Sequence, residues 1–271
     1  MSGEPEFAAG ELARRWPPGR SPRDWDAATY HRVSDIQLRW AREQLERLEL
    51  TGDEVVLDAG CGSGRVTALL AERVPRGRVY GVDVAPSMAA HAQEALGDKA
   101  IILCQDLVDL RLPEPVDAIF SNATFHWVPD HDALFAALHR TLKPGGRLVA
   151  QCGGKGNIDR FRTLADEVAL SEPFAAYFAD WHGPWNYADD ATTTARLERA
   201  GFTDVSCWLE PKSVTPEDPQ AFVHTVCLVR HLDRLPSEEL KSSFVGRVLT
   251  EVGRPLVLDY VRLNMTATRA G

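Results

Sequence analysis

The chain has little cysteine, no long apolar run and no surplus of positive charge, and each absence narrows what it can be. Its five cysteines, Cys61, Cys104, Cys152, Cys207 and Cys227, are scattered, odd in number and free of any C-x-x-C pair. Such usage fits reduced thiols in a cytoplasmic protein and offers no zinc site. Cys104 and Cys152 fall in apolar, strand-like runs, where burial is expected. No apolar stretch approaches the ~20 residues that span a bilayer, so no membrane partner is expected. Segment 1–19 is acidic and then proline-rich, without the apolar core of a secretory signal. The net charge of −9 speaks against a nucleic-acid partner, while a local basic pocket can still take an acidic small molecule. No His or Asp cluster shows metal-ligand spacing, and internal repeats and low-complexity segments are lacking. A monomer and a homodimer are both compatible with the sequence.

What is present is ordinary in bulk and specific in detail. A chain of 271 residues with 44% apolar and 25% charged residues supports one large globular domain with inserted elements. Residues 1–24 read as a flexible leader and 25–271 as a single domain. An amphipathic helix is expected to run to about Leu48, on the spacing of Ile36, Trp40, Leu45 and Leu48. A first strand opens at Val55, and further strands are expected at 78–83, 100–104, 116–121 and 147–152. Helices are expected between them, one starting at Pro86 and one over 131–142 that closes on Lys143-Pro144-Gly145-Gly146. This alternation implies βαβ units and an α/β fold whose parallel sheet is covered on both faces. Two helical insertions are expected at about 153–193 and 213–254, the first dense in aromatics. A helix at 194–201, a sixth strand at 205–209 and a last strand at 257–268 complete the pattern.

The most informative stretch is Val55-Val56-Leu57-Asp58-Ala59-Gly60-Cys61-Gly62-Ser63-Gly64. An apolar strand runs into an acid, then into a turn nearly devoid of side chains, then into a helix. Backbone can approach a ligand closely there, and the helix offers free N–H groups. A glycine turn of this kind serves dinucleotides as well as other nucleotides. Asp83 lies 19 residues past Gly64 and ends the second strand, where a carboxylate suits ribose hydroxyls; it could equally cap the following helix. Asp58, just ahead of the glycines, is poorly placed beside a pyrophosphate and suits an ammonium group. Asp106 ends the third strand, where it can meet an adenine amino group or serve only as a turn residue. Ammonium, ribose and adenine in that order spell S-adenosylmethionine, and Asp58 disfavours a dehydrogenase.

Segments 55–64, 81–83, 105–106 and 142–148 resemble the successive motifs of class I S-adenosylmethionine-dependent methyltransferases. Ser121-Asn122-Ala123-Thr124-Phe125-His126-Trp127-Val128-Pro129-Asp130 resembles the group of trans-aconitate, malonyl-carrier-protein and juvenile-hormone-acid methyltransferases. The resemblance implies a Rossmann-like, doubly wound sheet of seven strands, the last antiparallel, with helical caps. It implies S-adenosylmethionine held by Asp58, Gly60, Gly62, Gly64, Asp83, Val84, Met88, Asp106, Leu107, Asn122 and Ala123, with Trp25 and Tyr30 closing over it. His126 would orient a carboxylate acceptor or act as base toward a phenol or alcohol. Trp127, Tyr177, Trp181, His182, Trp185 and Tyr187 are expected to face a small-molecule substrate. Arg160, Arg162, Arg230 and Arg262 are candidates to hold an acidic one, and nothing in the sequence chooses among them. O-methylation of a carboxylate is the leading expectation. An N-, C- or phenol O-methyltransferase and a non-catalytic S-adenosylmethionine-binding protein are the alternatives.

Overall fold

The computed structural model describes residues 35–271, so Trp25 and Tyr30 lie outside the described residues. Helix α1 (Asp35–Leu45) leads into β1 (Val55–Ala59), α2 (Arg65–Arg73), β2 (Arg78–Asp83), α3 (Pro86–Leu96) and β3 (Ile101–Cys104). Then follow β4 (Val116–Asn122), α4 (His131–Thr141), β5 (Leu142–Gly153), α5 (Asp159–Ala169), α6 (Asp190–Arg199) and β6 (Phe202–Val214). The short α7 (Pro219–Phe222) and α8 (Val229–Leu232) flank a π-turn, and α9 (Glu238–Val252) leads to β7 (Leu258–Arg269). The seven strands form one sheet in the order β3-β2-β1-β4-β5-β7-β6. Strands β1 to β5 pair in parallel, and β7 runs antiparallel to both neighbours.

This order follows from the apolar patterning. Leu57, Ile119 and Leu148 point to one face, where they pack against Leu134, Phe135 and Leu138 of α4. Val56, Phe120 and Val149 point to the other, beneath Ala41, Leu45 and Leu70 of α1 and α2. Strands buried on both faces read as continuous apolar runs. A third cluster lies apart from the central sheet, where α5, α9 and the loops around Phe174 and Phe178 enclose Phe161, Phe244 and Val248. Trp40 of α1 and Tyr260 of β7 belong to it, their rings 5.2 Å apart and edge-on.

The chain leaves β1 toward β2 and β3 on one side and leaves β4 toward β5 on the other. The loops after β1 and β4 therefore diverge, and a crevice opens at the carboxyl ends of these strands.

Four details depart from the sequence expectations. Strand β6 runs from Phe202 to Val214, well past 205–209, because its pairing with β7 rather than an apolar pattern defines it. Cys104 is exposed, because β3 is an edge strand, whereas Cys152 is buried as expected. Segment 143–146 belongs to β5, where Lys143 Nζ donates to both Asp117 carboxylate oxygens at 2.8 Å. Within 153–193 only α5, a 3₁₀ turn at Ala175–Tyr177 and the start of α6 are helical. The stretch 181–189 has no regular structure, since its side chains rather than its backbone pattern fill the space. No helix among the described residues is long and apolar enough to cross a membrane.

Candidate active site

The crevice contains a small cleft lined by Gln37, Asp58, Gly60, Gly62, Ser63 and Asn122, among others. Its floor is the loop after β1. Gly60 and Cys61 donate their N–H groups to Val82 O at 2.8 and 3.0 Å, stitching the loop to β2. Gly60, Gly62 and Gly64 all have positive φ, at 85°, 54° and 84°. A Cβ on Gly60 would lie 2.1 Å from Thr124 Oγ1, whereas one on Gly62 meets nothing within 4 Å. Gly64 packs closely on Ala92 and Leu96 of α3. Only Gly62 thus faces open space, and Gly60 and Gly64 are held to glycine by their neighbours.

Asp83 organises this loop. One of its oxygens accepts from Gly62 N and the other from Ala85 N, both at 2.9 Å. The cap position of α3 is Ala85, without a side-chain cap, so Asp83 does not cap that helix. Burial pushes its carboxyl above the usual range, against the pull of these N–H donors. Val84 is half-buried beside it and Met88 is buried on α3. Asp106 is buried and accepts from Val108 N at 3.2 Å, capping the 3₁₀ turn that carries the buried Leu107.

Asp58 is 1% exposed and accepts from Thr67 Oγ1 at 2.7 Å. Burial pushes its carboxyl up to about 7, opposed by the Thr67 hydrogen bond and aided by the nearby Asp83 charge. Asn122 Nδ2 donates to Gln37 O at 3.0 Å, which fixes the amide orientation. Asn122 Oδ1 and Gln37 Oε1 are then buried acceptors without a hydrogen-bond partner among the described residues. Buried acceptors of this kind are costly unless something donates to them. Together with Asp58 they suit a donor-bearing cationic group in the cleft. Ala123 has a φ of 59°, strained for a residue with a Cβ, and its N–H donates to Gln151 O at 2.7 Å.

His126 lies just behind, in a 3₁₀ turn after β4, and is 8% exposed. Its Nδ1 accepts from Gly153 N at 3.2 Å. Burial, with Arg262 and His131 adding to it, holds its pKa well below the ordinary value. A neutral imidazole whose Nδ1 accepts carries its proton on Nε2. His126 is therefore a hydrogen-bond donor at Nε2.

Aromatic side chains surround this histidine. Trp127 and Tyr187 lie 5.2 and 5.7 Å from its ring, Trp185 stacks on Tyr187 at 5.5 Å, and Trp127 lies 6.0 Å from Trp185. Trp181 joins through the buried His231, whose ring is 4.6 Å from it and 6.0 Å from Trp185. Tyr177, like Trp181, packs on the third core cluster, and His182 is exposed. Gln37 and Thr67 were not singled out from sequence. The signal for Gln37 is a polar residue on the apolar face of α1, in step with Trp40, Ala41 and Gln44.

Residues 57–150 match the family model of a methyltransferase domain. A trans-aconitate 2-methyltransferase of Methylobacterium nodulans is 34% identical over 192 residues, 71% of this chain and 69% of that protein. One from Variovorax paradoxus is 34% identical over 59% of this chain and 71% of its own length. One from Escherichia coli K12 is 42% identical over 47% of this chain and 50% of its own length, so the match spans about half of that relative. Among solved structures, a mycolic acid cyclopropane synthase shares the fold with a TM-score of 0.59 at 17% identity, over 98% of this chain and 99% of that one. A phosphoethanolamine N-methyltransferase of Haemonchus contortus, in complex with S-adenosyl-L-methionine, does so at 0.59 and 19% identity, over 90% of this chain and 57% of that one. The chain belongs to the family of S-adenosylmethionine-dependent methyltransferases that its trans-aconitate 2-methyltransferase relatives represent.

Proposed function

We propose that the protein methylates a carboxylate oxygen of a small-molecule acid. The observation that carries this reading is the tautomer of His126. With Nδ1 accepting from Gly153 N, the imidazole has no lone pair at Nε2 with which to take a proton. A carboxylate is ionised near neutral pH and needs no base, whereas an alcohol or phenol does. A donor at Nε2 can orient such an acceptor by a charge-assisted hydrogen bond. The trans-aconitate 2-methyltransferase relatives support the same class of acceptor.

The chain's residues divide the donor's recognition among them. Asp83 would take the ribose hydroxyls and Asp106 the adenine amino group, with Val84, Met88 and Leu107 as apolar walls. Asp58, Gln37 Oε1 and Asn122 Oδ1 supply acceptors for an ammonium group, and the loop of Gly60, Gly62 and Gly64 admits the ligand to the backbone. S-adenosylmethionine supplies a sulfonium methyl, which leaves a neutral thioether when the acceptor oxygen takes it, without any proton transfer. The aromatic enclosure of Trp127, Trp185 and Tyr187 keeps water from the acceptor side. Orientation alone accounts for up to ~7–11 kcal/mol of a barrier of this kind.

Incubation with S-adenosylmethionine and trans-aconitate, followed by mass spectrometry, tests the reading. The expected product is heavier by one methyl group and reverts to the acid in mild base. A base-stable N- or C-methyl product overturns it. The role of His126 is tested separately. His126→Gln keeps a terminal N–H donor and should lower kcat less than about tenfold, where loss of a general base costs 10²–10⁴-fold. The parent's kcat should show no limb near the ordinary histidine pKa. Such a limb, lost in His126→Gln, would make His126 a base.

A further inference from the structure

Of the four arginines that could hold an acidic acceptor, Arg162 and Arg262 both stand near Tyr187, and Arg262 is the one whose charge bears on His126. Arg160 is exposed, Arg162 pairs with Asp159 and Arg230 lies 3.6 Å from Asp233. Arg262 is 2% exposed and sits on β7 directly opposite Gly153, at the carboxyl end of β5. Residues paired across an antiparallel ladder share a face. The space that a Gly153 side chain would take is filled by the Tyr187 ring, 2.6 Å from the ideal Cβ position. Gly153 N is also the donor to His126 Nδ1. Arg262, Tyr187 and His126 therefore converge on one glycine.

The guanidinium is fixed from two sides. Its carbon stands 4.8 Å from the centre of the Trp40 ring, a cation–π arrangement. Its Nε donates to Gln151 Oε1 at 3.2 Å. Gln151 is oriented in turn by donating to Asn264 Oδ1 at 2.6 Å, and Asn264 donates to Glu210 at 3.2 Å. Trp40 lies three residues after Gln37, on the same face of α1, and Gln37 lines the cofactor cleft. One helix thus places its glutamine at the cofactor and its tryptophan under the arginine.

We propose that Arg262 is the specificity-determining residue for the methyl acceptor and pairs with a carboxylate of that acceptor; the inference rests on the carboxylate reading above. A fixed guanidinium matches a carboxylate with two parallel N–H donors. In a buried setting the pairing is strengthened by the low dielectric. An amine acceptor meets a like charge there, and a neutral ester or alcohol forgoes the charge-assisted pairing that a carboxylate makes. Gln151 is a positioning residue that sets the guanidinium plane.

The test is calorimetric titration of the S-adenosylhomocysteine-loaded protein with crotonate, fumarate, trans-aconitate and the trimethyl ester of trans-aconitate. The wild type should bind at least one of the acids and bind the ester at least about 50-fold more weakly than trans-aconitate. Arg262→Met should lose about 50-fold or more for the acid while its affinity for S-adenosylhomocysteine stays close to that of the wild type. Arg262→Lys, which keeps the charge without the fork, should recover part of the loss. Arg262→Gln replaces Arg262→Met if the latter fails to bind S-adenosylhomocysteine. Equal acid binding by wild type and Arg262→Met overturns the inference, as does a wild type that binds none of the acids. Acid binding lost in Arg262→Met, with no ester formed by the wild type, keeps Arg262 as the anion anchor and removes the carboxylate oxygen as methyl acceptor.

Discussion

Alanine at Gly60 should abolish binding of S-adenosylhomocysteine and strongly destabilise the protein, whereas alanine at Gly62 should weaken binding with only a small loss of stability. At Gly60 two penalties combine. The backbone φ of 85° costs a residue with a Cβ about 1–2 kcal/mol. The new methyl also overlaps the Thr124 side chain, with Oγ1 at 2.1 Å and Cγ2 at 2.2 Å. Thr124 cannot swing away freely. It is β-branched, its hydroxyl donates to Gly60 O and Asn122 O, and it follows the strained Ala123. Overpacking of this kind costs about 1–3 kcal/mol, for a total of roughly 2–5 kcal/mol. Gly62 has a φ of 54° and open space around its Cβ position. Gly62→Ala should therefore cost about 1 kcal/mol, a melting shift of about 2–4 °C for a chain of this size. Its methyl group projects where the ligand must approach the backbone, so affinity should fall at least about tenfold, or 1.4 kcal/mol. Thermal melting and calorimetric titration of both variants check the pair. Unchanged binding by Gly62→Ala would place the ligand away from this loop.

The second large effect is a pH dependence carried by Asp58. Its carboxyl titrates at about 7 in the folded protein against 3.8 ordinarily. Between these values the folded chain holds a proton that the unfolded chain has released. Stability of the ligand-free protein should therefore fall as pH rises from about 4 to about 7 on this account, by up to roughly 4 kcal/mol, and level off above. An ammonium group at Asp58 favours the ionised form. Ligand affinity should accordingly fall as pH drops below about 7, and binding near pH 6 should release a proton to the buffer. Asp58→Asn removes both effects. It should make the ligand-free protein more stable at pH 8, weaken binding of S-adenosylhomocysteine there about 10–100-fold, and leave the remaining affinity flat with pH. Calorimetry in buffers of different ionisation enthalpy measures the proton count. Equal proton release by wild type and Asp58→Asn would assign the linkage to another group.

Much of the candidate site was legible because it is local in sequence. The glycine loop, Asp58, Asp83 and Asp106 each sit at the end of an apolar strand, and strand ends at the carboxyl edge are where such sheets bind ligands. What was not legible depends on pairings distant in sequence. The tautomer of His126 is set by the backbone N–H of Gly153, 27 residues away. The choice of Arg262 over Arg160, Arg162 and Arg230 rests on the antiparallel register between β5 and β7, which apolar patterning cannot give. Gln37 and Gln44 interrupt the apolar face of α1, and only the packing of that helix on the sheet shows that they are buried. The length of β6 was missed for a related reason. As an edge strand it is mostly half-exposed and includes Pro211, a residue that edge positions tolerate, so alternation is too weak to mark its ends. Tyr177 and His182 were grouped with Trp181, Trp185 and Tyr187 by proximity in sequence alone. The irregular chain over 181–189 turns Trp185 and Tyr187 toward His126 and leaves His182 outside.

The central claim is that the cleft at the ends of β1, β2 and β4 is the S-adenosylmethionine site, with Asp83 as its ribose ligand. Titration of S-adenosylhomocysteine into wild type and Asp83→Ala tests it most directly, with melting temperature as a check on folding. Asp83 also holds Gly62 N and Ala85 N, so its loss removes both the proposed ribose acceptor and the brace of the loop. Charged hydrogen bonds contribute about 1.5–3 kcal/mol each, and a loss of about 100-fold or more in affinity is expected from a folded variant. Binding by Asp83→Ala that equals the wild type would contradict this placement of the cofactor.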